Sequence, residues 1–207
     1  MCFSAQASFI ASGALFILGS YAVKKIKNKT SLPFALTPIM FAIQQIAEGF
    51  VWLGKTNPNL SGMLSTATWL YLFFAFFFWP IWIPTATILL EKNMARRHIL
   101  YIILGIGITV ATTLAYTTLL SGVQPEVSCS HIRYNVALPE MLNLWGPFMY
   151  CIATIAPFFV STKRYFWLFG IGLIISVATT YLLYAAFFTS VWCFFSALLS
   201  MGIIALV

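Results

Sequence analysis

Apolar residues fill seven runs along the chain, each of roughly the 20 residues that a helix needs to cross a bilayer. They extend over Phe3 to Val23, Leu32 to Gly54, Leu64 to Leu90, His98 to Leu120, Leu144 to Val160, Tyr165 to Phe188 and Val191 to Val207. Polar residues gather in the gaps between the runs. The third run is long and carries Pro80 and Pro84, which predicts a kink or a tilt. Only Thr189 and Ser190 separate the last two runs. A single helix of about 40 residues would be about 60 Å long, twice the hydrocarbon thickness, so two crossings are expected there. The pattern predicts one domain over 1–207, an all-α integral membrane bundle of seven transmembrane helices, with its longest loop at 121–143.

Composition agrees with this reading. Hydrophobic residues make up 61% of the chain and charged residues only 7%, so there is too little polar surface for a water-soluble domain of this length. The net charge of +7 would suit a nucleic-acid partner only if the cations formed one patch, and here they lie between apolar runs. No nucleic acid is expected. The expected partner is the lipid bilayer, together with a small-molecule or cation ligand.

The cations instead report topology, because short cytoplasmic loops collect Lys and Arg. With the N-terminus outside and the C-terminus in the cytoplasm, nine fall on the cytoplasmic side: Lys24, Lys25, Lys27, Lys29, Lys92, Arg96, Arg97, Lys163 and Arg164. Lys55 and Arg133 fall outside. The N-terminal residues lead straight into an apolar run whose positive charges follow it, the reverse of a signal peptide, so an uncleaved first helix is expected.

The chain has no Asp, and of its four acidic residues only Glu48 lies well inside an apolar run. Gln44 precedes it by one turn on the same helix face, Trp52 follows by one turn, and Gln45 lies beside them. Glutamate is too short to snorkel from this depth to the interface. The stripe is therefore expected to face the bundle interior or a wet cavity, with Glu48 as a protonatable or cation-binding group. The alternative is a hydrogen-bonded tie between helices. No lysine lies deep in any run, which excludes a retinal Schiff base.

The 121–143 loop holds His131, Arg133 and Tyr134, and it reads either as a lid that supplies His131 or Arg133 to Glu48 or as a solvated connector. Cys2, Cys129 and Cys193 map near the outer face as disulfide candidates, with inert thiols and thiol chemistry as the other readings. No metal site and no cofactor are predicted, because Cys-x-x-Cys spacing is absent and only two His occur. The aromatic block from Trp69 to Trp82 reads as packing and interfacial anchoring, or as the lining of a hydrophobic ligand site.

Three segments carry a resemblance: Met1-Cys2-Phe3-Ser4-Ala5-Gln6-Ala7-Ser8-Phe9, Leu32-Pro33-Phe34 with Gln44-Gln45-x-x-Glu48-Gly49, and Val191-Trp192-Cys193-Phe194-Phe195. The chain resembles an uncharacterised family of small bacterial multi-pass membrane proteins. The resemblance implies a bacterial cytoplasmic membrane and brings no activity with it. The residues themselves rank a small-molecule or ion transporter first, a ligand-binding or sensor protein second, and a membrane enzyme using outer-face Cys, His and Glu residues third.

Overall fold

A computed structural model describes residues 4–128, 131–136 and 139–205. Helix α1 (Ala5–Lys25) starts at Ser4, whose Oγ accepts a hydrogen bond from the Ala7 amide at 3.2 Å, and ends with Lys24 and Lys25 at its negative pole. Helix α2 (Leu32–Thr56) returns alongside it. The two approach closely and antiparallel: a Cβ on Gly49 would meet the Phe9 ring at 2.6 Å, and one on Gly19 would meet Ile39 at 2.6 Å.

The third run is a composite. Helix α3 (Leu64–Leu72) passes into a π-turn (Phe73–Phe78) and then into α4 (Trp79–Leu90). The expected Pro80 distortion is thus absorbed one turn earlier. Within the π-turn the Trp79 amide donates to the Phe74 carbonyl, and Pro80 has no N–H to offer the Ala75 carbonyl. The Tyr150 hydroxyl donates to Ala75 O instead, at 2.5 Å. Pro84 likewise leaves the Pro80 carbonyl without its helical donor. That oxygen lies against Gly107, where any Cβ would overlap it.

Helix α5 (Met94–Ser121) begins at Asn93, whose side chain accepts from the Arg96 amide, and ends at Gly122 with φ of 66°. Next comes a two-stranded antiparallel hairpin, β1 (Gln124–Ser128) and β2 (His131–Asn135), paired from Gln124 opposite Asn135 to Ser128 opposite His131. Sequence reasoning treated this region as an irregular loop. Helices α6 (Glu140–Val160), α7 (Phe166–Tyr184) and α8 (Phe188–Ser200) complete the bundle. The backbone leaves helical geometry at Tyr184 (φ −138°, ψ 33°) and Phe187 (φ −118°, ψ 21°). Beyond that break, Gly172 faces Leu199 and Gly202 faces Phe169, so α7 and α8 pack antiparallel.

By length and composition, five helical stretches among the described residues are able to cross a membrane: Ala5–Lys25, Lys29–Thr56, Pro58–Leu90, Met94–Ser121 and Phe166–Ile204. The last contains the reversal between α7 and α8, and Trp145–Val160 is a shorter apolar stretch. The fold is all-α apart from the hairpin. Its two ends differ. At the basic end Lys25 Nζ donates to Ile204 O at 3.1 Å and an Arg96 guanidinium nitrogen to Val160 O at 2.8 Å. The hairpin covers the opposite end, where Ile132 is fully buried among Val51, Trp52 and Ala67.

The basic end is closed by Glu91, which is only 3% exposed. Its carboxylate accepts from the Asn93 amide, the Ser161 hydroxyl, and both the amide and the hydroxyl of Thr162, joining the α4–α5 turn to the α6–α7 turn. Burial pushes its pKa up, but the hydrogen bonds from Thr162, Asn93 and Ser161 outweigh it, and the net value lies below the ordinary 4.5.

Candidate functional site

A stripe of polar residues on α2 turns inward, as helical spacing requires. Gln44, Gln45 and Glu48 are each completely buried and Trp52 is nearly so. Helix α4 supplies Trp79, whose indole N–H donates to Gln44 Oε1 at 2.8 Å while its ring stacks on Phe41 at 3.8 Å between centroids. Helix α8 supplies Ser190, whose hydroxyl donates to Glu48 Oε1 at 2.5 Å. One turn further along α8, the buried Cys193 packs against Ala47, Tyr71 and Ala75, and its thiol is within interaction range of Tyr71, Gln44 and Glu48.

The hairpin caps this cluster. Tyr134 stacks on Tyr71 at 4.7 Å with planes 11° apart, and the Tyr71 hydroxyl donates to Thr189 O at 3.2 Å. Two other hairpin residues are held at the α7–α8 turn. His131 stacks on Phe187 at 4.9 Å and lies tilted against Tyr184 at 5.1 Å, and Arg133 Nε donates to Ala186 O at 3.4 Å. The segment expected either as a lid or as a solvated connector thus contains this hairpin. Its Tyr134 joins the cluster directly, and its His131 and Arg133 fix it to the neighbouring turn.

Several buried polar atoms around Glu48 have no hydrogen-bond partner among the described residues. They are both polar atoms of the Gln45 side chain, Gln44 Nε2 and Trp52 Nε1, all on α2. Leaving such an atom unbonded costs on the order of 1–3 kcal/mol. The stripe thus offers an amide oxygen, two amide nitrogens and an indole N–H on the helix that carries the carboxylate. The carboxylate and the Gln45 amide oxygen suit a proton or a small hard cation, and the N–H groups suit an acceptor on a compact hydrogen-bonding solute.

Cys193 is a free thiol, and Cys2 and Cys129 lie outside the described residues, so the disulfide candidates are placed only in part. Among the described residues no three His, Cys, Asp or Glu side chains converge. Gln44, Gln45, Glu48, Trp52 and Tyr134, all singled out from the sequence, come together. Ser190, Tyr71 and Trp79 join them without having been singled out. Ser190 read only as part of a break between helices, and the other two were read as part of an aromatic block.

The sequence profile of a family of unknown function, DUF6629, matches residues 1–207. No curated protein and no solved structure is detectably similar to the chain.

Proposed function

The chain belongs to the DUF6629 family, and from that premise, which brings no activity with it, we propose that it is a multi-pass membrane transporter that binds a proton or small cation at Glu48. The observation that carries this reading is a fully buried carboxylate set beside buried amide groups with bonding capacity to spare. An ionisable residue at membrane depth is costly, and such residues commonly mark ion and proton pathways.

The proposed topology has seven crossings with the N-terminus outside, in a bacterial cytoplasmic membrane. Support comes from the antiparallel packing of α7 on α8 and from the 21 residues of α6, about 31 Å of helix. The contacts of Lys25 with Ile204 and of Arg96 with Val160 gather the cationic turns at one end, as the positive-inside rule requires of a cytoplasmic face. The hairpin and the Glu48 cluster then belong to the outer half, and the site as described is closed by Tyr134, Ile132 and Ser190.

The test is ion flux in proteoliposomes carrying an internal pH-sensitive dye, with proton, Na⁺ or K⁺ gradients imposed in turn. The wild-type protein dissipates at least one gradient, and Glu48→Gln, at equal protein content and with an unchanged elution profile, does not. Equal flux from the two proteins removes Glu48 from the mechanism.

A further inference from the structure

We propose that the bundle contains a second, apolar site, in the cavity enclosed by α2, α4, α6, α7 and α8, whose occupant is a hydrocarbon chain of a membrane lipid entering beside the π-turn. This rests on the membrane reading above but not on any role for Glu48.

The cavity measures about 60 Å³, and its walls include Phe34, Phe41, Phe158, Phe169 and Leu199. No Lys, Arg, His, Asp or Glu lines it. Five of the polar groups on its walls are already engaged. Thr154 Oγ1 donates to Tyr150 O at 2.9 Å, Ser200 Oγ to Ala197 O at 2.6 Å and Thr37 Oγ1 to Pro33 O at 3.4 Å. The Trp79 and Trp192 indole N–H groups are committed to Gln44 Oε1 and Ser176 Oγ. An ion or polar solute entering here would give up its hydration for carbon, at a cost of several kcal/mol. An alkyl chain gives up nothing.

The route to this cavity points to lipid as the source. Tyr150, Trp192 and Cys193 form a wall common to it and to a second cavity of about 190 Å³. Phe76 is in turn common to that second cavity and to a groove of about 260 Å³ between the π-turn and α5. Phe73 and Leu119, which border the groove, are 46% and 67% exposed on the outer surface of the bundle. The π-turn, forced by Pro80, interrupts regular helix packing where Phe76 sits. Three adjoining spaces separated only by shared side chains fit a narrow, flexible chain better than a rigid ring system.

The experiment reconstitutes the full-length protein in liposomes doped with a phosphatidylcholine bearing a mid-chain diazirine, irradiates, and maps the adducts by peptide mass spectrometry. Surface residues Ile171, Ile174 and Leu182, which are 40%, 49% and 77% exposed, serve as the internal reference. Adducts on Thr154, Phe158 or Leu199 are expected beside the reference adducts. Thr154→Met, which fills the cavity, and Phe76→Trp, which narrows the entry, should each reduce the cavity adducts severalfold and leave the reference unchanged. Phe76→Trp lies outside the cavity walls and so keeps the test valid if Thr154→Met disturbs folding. Adducts confined to the reference residues, or cavity adducts unaffected by both variants, overturn the apolar site. Adducts nowhere overturn the membrane reading and this proposal with it.

Discussion

Two buried glutamates, one toward each end of the bundle, are built to opposite specifications. Glu91 closes the basic end with a carboxylate that accepts four hydrogen bonds from Asn93, Ser161 and Thr162, all drawn from turns. Glu48 lies inside α2, tied to Ser190 of α8, beside Gln45 and Gln44 atoms that find no partner among the described residues. Around Glu91 the donors are matched to the acid. Around Glu48 polar capacity is in surplus. A carboxylate whose surroundings are matched holds two turns together, whereas buried polar atoms without partners each cost on the order of 1–3 kcal/mol, and it is this difference that the proposed transport role of Glu48 rests on.

The strongest way to break this contrast is to neutralise each acid in turn. Glu48→Gln should abolish the ion flux while leaving the melting temperature nearly unchanged, whereas Glu91→Gln should lower the melting temperature and keep the flux; the reverse pattern would invert the assignment. Removing the cap comes next. Ile132→Ala empties a fully buried position among Val51, Trp52 and Ala67 and should cost about 2–5 kcal/mol. Hydrogen exchange should then accelerate in the hairpin and the adjoining end of α2 but not around Glu91.

Glu91→Ala should cost about 1–3 kcal/mol by leaving its donors unpaired, read as a loss of thermal stability in detergent. Its pH dependence adds a sign. Because the folded pKa lies below the ordinary 4.5, the Glu91 contribution is complete above that value and is lost as pH falls through the folded pKa. Between pH 7 and pH 3 the wild type should therefore lose more stability than Glu91→Ala does. The smallest effect is expected from Gln45→Leu. It removes an amide with no partner among the described residues, so the melting temperature should stay level or rise slightly while ion flux falls. A clear drop in melting temperature would mean that Gln45 is structural glue.

The sequence made one side of this contrast visible. Glu48 stands out because it is the single acid within an apolar run, and helical spacing alone aligns it with Gln44 and Trp52. Its partners were hidden because they come from distant segments. Ser190 is 142 positions away, and nothing local distinguishes it from a linker serine. Tyr71 and Trp79 were lost among similar aromatics, since only packing decides which ring turns inward. Pro80 and Pro84 correctly signalled an irregular third segment. That Tyr150 would complete the Ala75 carbonyl depends on the packing of α6, which no local pattern encodes. The hairpin escaped detection because its two strands are only five residues each and Pro125 falls within the first, although polar and apolar residues alternate in both. Glu91 drew no attention for a related reason: an acid at a turn between helices reads as solvated until the second turn is seen folded over it.

The contact of Gly107 with the Pro80 carbonyl also has a mechanical consequence. Where two helices meet backbone to backbone there is no side chain to change rotamer and absorb a slip, so α4 and α5 are geared at that point and must travel as one rigid strut. Any rocking that exposes Glu48 first to one side and then to the other has to be carried by elements that move against this strut. Under the proposed transport role, α8 is the candidate for that movement, because it brings Ser190 to the acid and is separated from α7 by the break between Tyr184 and Phe187.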